Sequence, residues 1–216
     1  PRIVSVNVDV NIYPGTLDAD ASGTYSMVNK TSNVIDSLFL NHNNAISTFE
    51  FDKETDLVLE DTLYNFDIYR LKKPLYPGDS LKLSFSVKNK PNTSIRKNSS
   101  VVSNGTFINN SLFPTFGYPG GELTDDKTRE KYDLPPNKLK PHPSDSTALG
   151  NTYISKDADW IDFEATVSTS KDQIAIAPGY LQKEWIDGDR RYFHYKMDSK
   201  ILNFYAFNSA KYEVIQ

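Results

Sequence analysis

The chain has no cysteine. Disulfide staples, thiolate zinc sites and cysteine nucleophiles are therefore excluded. The absence leaves the compartment open, because a chain able to bury a real core does not need bridges. Histidine is scarce: His42, His142 and His194 are the only three, and no two lie four residues apart. No helix can thus offer a His pair to a metal, and each imidazole reads as an ordinary surface or half-buried group. Gly120-Gly121 stands without the lysine and helix of a phosphate-cradling loop, and no Gly-x-Ser-x-Gly elbow occurs. No apolar run approaches the ~20 residues that cross a bilayer as a helix, and no signal peptide is visible. Neither sign of charge dominates, with 24 basic against 28 acidic residues and a net charge of -4. Short clusters such as Lys72-Lys73 and Arg190-Arg191 make no basic stripe, so nucleic acid is not an expected partner.

What is present is aromatic and alternating. The 216 residues include 13 Tyr, 12 Phe and 2 Trp, side chains that suit a pleated surface. Val4, Val6, Val8, Val10 and Ile12 alternate with Ser5, Asn7, Asp9 and Asn11 until Pro14-Gly15 breaks the run, which predicts a strand with one buried face. Further strands are expected over 23–29, 34–40, 46–51 and 57–59, with a short one opening at Phe66 and Ile68. After the Pro77-Gly78 turn, Leu81, Leu83, Phe85 and Val87 alternate with polar residues. Ile161, Phe163, Ala165 and Val167 do the same, and Asp187-Gly188 predicts a hairpin ahead of 192–197. Strands are also expected over 201–207 and 212–215. Short strands at this spacing argue one all-β domain over 1–216, an antiparallel, saddle-like β-sandwich.

One stretch differs. Residues 119–150 are rich in proline and charge, with Pro135, Pro136, Pro141 and Pro143. They read as a long loop excursion carrying a short helix from Asp125 to Tyr132, capped by Thr124 and stopped by the proline pair. The acids Asp157/Asp159 and Asp187/Asp189 flank turns or strand starts and read as solvated, not as a glycosidase pair. Trp160, Trp185, Tyr180 and Tyr192 offer either core and domain contacts or a platform for a sugar ring.

The order of segments resembles the N-terminal β-domain of the aminopeptidase N-type zinc metallopeptidases, the gluzincins. The run Gly23-Thr24-Tyr25-Ser26-Met27-Val28-Asn29 and then Asp36-Ser37-Leu38-Phe39-Leu40-Asn41 is similar to that family's opening strands. Lys73-Pro74-Leu75-Tyr76-Pro77-Gly78-Asp79-Ser80-Leu81-Lys82-Leu83 resembles its Gly-x-x-Leu-x-Leu step, and Leu112-Phe113-Pro114 its Phe-Pro step. Residues 160–179 and the ending 203–214 are similar to its later strands. Residues 157–168, 173–181 and 190–197 look closest to a bacterial subgroup in which the aminopeptidase-like region is fused behind the membrane segments of an ABC-transporter permease.

The resemblance implies a non-catalytic domain that caps an active-site cleft and docks a downstream catalytic domain of the same polypeptide. The family's His-Glu-x-x-His motif is not in this chain, so no catalytic residue and no metal ligand are expected here; zinc would sit in the parent's catalytic domain. The family's N-terminal domain lends one Gln or Glu, ahead of the Phe-Pro step, to the free amine of a peptide substrate. The matching stretch carries Asn104, Gly105 and Thr106 instead, which are the candidate substrate contacts. The parent would be a zinc metalloaminopeptidase, membrane-anchored with this region outside the cytoplasm. A chain that starts at Pro1 is accordingly expected to be a fragment of it. The alternative from the residues alone is a free-standing β-sandwich module that binds carbohydrate or protein.

Overall fold

The computed structural model describes residues 1–42, 46–90, 100–117, 123, 125–137, 141–148, 155 and 157–214. Among them the strands are β1 (Arg2–Tyr13), β2 (Asp18–Val28), β3 (Ile35–Asn41), β4 (Ile46–Phe51), β5 (Thr55–Asp61), β6 (Phe66–Leu75), β7 (Ser80–Asn89), β8 (Thr106–Asn109), β9 (Thr115–Phe116), β10 (Ala158–Ser170), β11 (Ile174–Ile176), β12 (Tyr180–Asp187), β13 (Arg190–Lys196) and β14 (Ala206–Ala210). They form a seven-stranded sheet in the order β12-β13-β10-β1-β2-β7-β4, a four-stranded sheet β5-β6-β3-β9 and a three-stranded sheet β11-β14-β8. The protein is an all-β sandwich, as the alternation predicts. One pair departs from the antiparallel rule: β1 runs parallel to β10, from Ile3 opposite Ala158 to Asn11 opposite Ser168.

The core lies between the large sheet and the two small ones. Val6, Val8, Val10 and Ile12 of β1 and Leu81, Leu83, Phe85 and Val87 of β7 are buried with Leu38 and Leu40 of the four-stranded sheet. Rings tie the layers together: Phe163 of the large sheet lies 4.7 Å from Tyr205, and Phe113 lies within about 6 Å of Phe85, Tyr205 and Phe207. On the far side Phe51 of β4 meets Tyr69 of β6 edge-on at 5.1 Å. Gly23 is required by close approach, since a Cβ there would come within 2.5 Å of the Asn7 carbonyl oxygen.

Four sequence expectations are corrected. Ile3 rather than Val4 enters the core, because a register shift between Ile3 and Ser5 moves the alternation by one residue. The strand opening at Phe66 runs on to Leu75; Pro74 is tolerated because it lies beyond Leu71, the last residue with a β5 partner. Only Ile201 and the segment from Ala206 pair within 201–207, and Lys211 to Val214 form no strand; the backbone N–H of Lys211 instead donates to Asn104 Oδ1. In the proline-rich stretch a helix, α1 (Asp126–Lys131), is capped by Asp125, whose carboxylate accepts from the Thr128 N–H at 2.8 Å. The expected cap, Thr124, lies outside the described residues.

Candidate functional site

The residues Asn104, Gly105 and Thr106 form the entry to β8, the outer strand of the three-stranded sheet. Gly105 has a φ of +93°, a conformation that favours glycine, and donates its N–H to Ser209 O at 3.2 Å. The Thr106 hydroxyl is buried and both donates to Val102 O and accepts from Val102 N. Asn104 Oδ1 accepts from Lys211 N at 2.8 Å. Behind this turn runs a buried polar chain. Thr169 meets Ser209 at 2.6 Å, the Ser209 hydroxyl reaches Gln173 Oε1 at 2.7 Å, and Gln173 Nε2 donates to Ser103 O at 2.7 Å. Every link is satisfied, so the chain holds the Ser103–Gly105 backbone against β14 and β11. Sequence reasoning missed Gln173 because its partners are distant in the chain.

The outer faces of the small sheets are apolar. On the three-stranded sheet, Phe107 and Ile176 flank Asn208 across the strands, and Phe107 is 52% exposed. Phe204, Tyr212 and Val214 are exposed close by in sequence. On the four-stranded sheet, Leu59, Ile68 and Phe39 lie in one cross-strand row, and Phe39 stacks on Phe66 at 6.0 Å. A groove of about 280 Å³ opens beside this row between Ile35, Leu38, Phe39, Phe116 and Asp157. Asp157, itself buried, accepts from the Phe116 N–H at 2.8 Å and so fixes the floor of the groove.

The outer face of the seven-stranded sheet is mostly polar, with the Trp185–Tyr192 ring pair as an exception. One row crosses every strand: Lys183, His194, Thr166, Asp9, Ser22, Ser86 and Thr48. His194 bonds Glu164 at 2.8 Å, with Lys196 at 3.2 Å from the same carboxylate. Burial alone would raise the Glu164 pKa, but these two hydrogen-bonding partners outweigh it and hold the carboxyl below the usual range. His42 lies 3.5 Å from the buried Asp67, and the His142 ring meets the Ser144 hydroxyl, so the three histidines stand at separate places. Among the described residues no group of three His, Cys, Asp or Glu side chains is arranged to hold a metal. No helix among them is long and apolar enough to cross a membrane.

The four aromatics considered for a sugar platform are not brought together. Trp185 and Tyr192 stack at 5.1 Å, nearly parallel at 8°. Tyr180 lies opposite Lys196, further along β13. Trp160 sits near the start of β10, far along the strand from Ser168, the residue opposite Tyr192.

No family model matches the sequence, and no curated protein matches it. Solved structures do. The fold is similar to an M1 zinc metallopeptidase from Deinococcus radiodurans, with a TM-score of 0.58 at 10% identity, over 96% of this chain and 42% of that one. A mutant of that enzyme bound to a Tyr-Ser-Ala substrate gives 0.58 at 12% identity over the same shares. A two-domain M1 zinc metallopeptidase mutant bound to L-tryptophan gives 0.56 at 12%, again over 96% and 42%. The fold class defined by these neighbours is therefore a β-domain of the kind found in M1 zinc metallopeptidases, enzymes of the aminopeptidase N type. At such identities the likeness is one of fold, and the chain spans less than half the length of the enzymes it matches.

Proposed function

We propose that this chain is the non-catalytic N-terminal domain of an aminopeptidase N-like zinc metallopeptidase, where it caps the active-site cleft and docks a downstream catalytic domain. The observation that carries this reading is a fold match over 96% of the chain to enzymes of which it makes up 42%. The remainder of such an enzyme supplies the zinc and the chemistry.

The docking face in this reading is the outer side of the three-stranded sheet. Phe107 and Ile176 leave apolar area in water there, and contacts between domains of one chain typically bury about 600–1,500 Å². Covering that face brings the Asn104 turn to the rim of the cleft. Asn104 Oδ1, with one lone pair on Lys211 N, has a second for the free amine of a peptide. Gly105 presents no side chain, so a substrate backbone can approach closely. Thr106, its hydroxyl engaged with Val102, sets the turn. The resemblance of 157–168, 173–181 and 190–197 to a permease-fused subgroup is the ground for reading the parent as membrane-anchored, with this region outside the cytoplasm.

The test is a polypeptide extended past Gln216 through the next domain. It should melt in one transition above that of the chain alone, because docking stabilises only the folded state. It should also release N-terminal residues from peptides in a zinc-dependent way. Asn104→Ala in that protein should raise KM several-fold, the loss of about one hydrogen bond at ~0.5–1.5 kcal/mol. Two independent melting transitions would remove the docking role.

A second reading, a binding module for carbohydrate or protein, is favoured by the Trp185–Tyr192 ring pair on the polar face, with Lys183 Nζ 5.1 Å from the Trp185 ring. Glycan titration with tryptophan fluorescence discriminates it: saturable quenching lost in Trp185→Ala would support the module.

A further inference from the structure

The four-stranded sheet ends in a strand that covers nothing. Every residue of β5 from Asp56 to Glu60 is exposed, including Leu57, Val58 and Leu59. The turn that follows adds Leu63 and Tyr64, 79% and 73% exposed. This turn is built, since Asp61 Oδ1 accepts from the N–H groups of both Leu63 and Tyr64 at 3.0 Å, so the two side chains are held outward by a formed backbone. Leu59 continues into the row with Ile68 and Phe39 on the outer sheet face. Contiguous apolar surface of this kind marks an interaction site on a soluble domain.

The charge around it selects the occupant. From Leu57 to Tyr69 the sequence carries no Lys or Arg, and the charges that reach its surface are Glu60 and Asp61, since Asp67 is buried. At the other end of β5, Asp56 is paired with Lys72. Two copies paired along this edge would bring their Glu60 and Asp61 carboxylates close together. The same carboxylates repel an anionic membrane surface and nucleic acid. A cationic, apolar polypeptide meets neither obstacle.

We propose that the β5 edge and its Leu63-Tyr64 turn form a docking site for a segment of another polypeptide in which Lys or Arg residues alternate with apolar ones. Its apolar side chains cover the Leu59–Ile68–Phe39 row and the turn, and its cations, projecting to the other side of the strand, meet Glu60. The site is separate from the three-stranded sheet and does not depend on the peptidase reading.

The experiment uses the 216-residue chain, a synthetic strand-forming peptide alternating Lys with Val, and a matched peptide alternating Glu with Val. Backbone amide shifts are followed by NMR as each peptide is added, with phosphatidylserine vesicles as a third titrant. The Lys peptide is expected to shift amides of 55–64 and to weaken as salt is raised. The double variant Leu63→Ser/Tyr64→Ser should weaken binding by roughly tenfold or more, as loss of anchoring side chains does, with an unchanged melting temperature because both groups are exposed. Glu60→Lys should weaken the Lys peptide alone. The proposal is overturned if the Lys peptide leaves 55–64 unmoved, if the Glu peptide binds equally well, or if vesicles shift the same amides. It is also overturned if the chain alone dimerises through this edge, or if the extended polypeptide covers the edge with its own next domain.

Discussion

The outer face of the seven-stranded sheet and the outer faces of the two small sheets come from the same period-two alternation, yet their central rows differ in chemistry. Across the large sheet the outward row is Lys183, His194, Thr166, Asp9, Ser22, Ser86 and Thr48. Across the small sheets it is Phe107–Asn208–Ile176 and Leu59–Ile68–Phe39. An antiparallel sheet can keep one face in water, and the large sheet does so with side chains that water satisfies. The small sheets leave rings and branched chains in the same position. Their inward faces line the core, while Phe107, Leu59 and Phe39 on the outward side leave apolar area in water. The difference separates a mostly polar face from faces that leave apolar area in water.

The largest effect that tests this comparison lies within one sheet. Phe207 is fully buried and Phe107 half-exposed, on opposite faces of neighbouring strands. Phe207→Ala should cost about 3–5 kcal/mol in urea unfolding, the usual range for a buried aromatic. Phe107→Ala should stay within about 0.5 kcal/mol in the isolated chain; a loss near that of Phe207→Ala would mean the outer face is part of the core after all. Next in size is Gln173→Ala, which takes the Gln173 acceptor from the Ser209 hydroxyl, leaving it Thr169, and takes the Gln173 donor from the Ser103 carbonyl; it should cost about 1–3 kcal/mol. Hydrogen exchange should then quicken at Gly105 and Ser209.

A smaller effect separates the two outer faces in the extended polypeptide. Phe107→Ser should lower its melting temperature, whereas Thr166→Val on the polar face should leave it within the scatter of surface substitutions, about 0.5 kcal/mol. Equal losses would erase the distinction. The smallest concerns pH. The folded-state pKa of Glu164 is depressed below its ordinary value of 4.5, so its contribution is present above that pH and is lost as pH falls through the lowered value. Glu164→Gln should flatten that part of the acid limb and leave stability nearly unchanged at neutral pH, as expected for a half-exposed pair.

What the sequence made legible was the inside. Leu81 to Val87 and Ile161 to Val167 faced inward as their alternation required, and His194 shares its face with Tyr192 and Lys196. Register was not legible. Ile3 replaced Val4 through a shift that no local pattern announces, and Trp160 proved remote from Trp185 because their separation depends on how β10, β13 and β12 pair. The Asn104 turn was found through family resemblance alone. The polar chain behind it was invisible, since Ser103, Thr169, Gln173 and Ser209 are each unremarkable residues until the fold joins them.

The parallel pairing of β1 with β10 has a consequence for biosynthesis. Chain leaves a ribosome at about 5–20 residues per second. β2 follows β1 at once, but the partner for the other edge of β1 arrives only with Ala158 to Ser170. Through that interval the middle of the future large sheet is a raw margin, apolar on the side of Val6, Val8 and Val10. Truncated products ending before Ala158 keep it permanently. They are the species expected to clump, and a chaperone that shields strand margins should reduce that clumping.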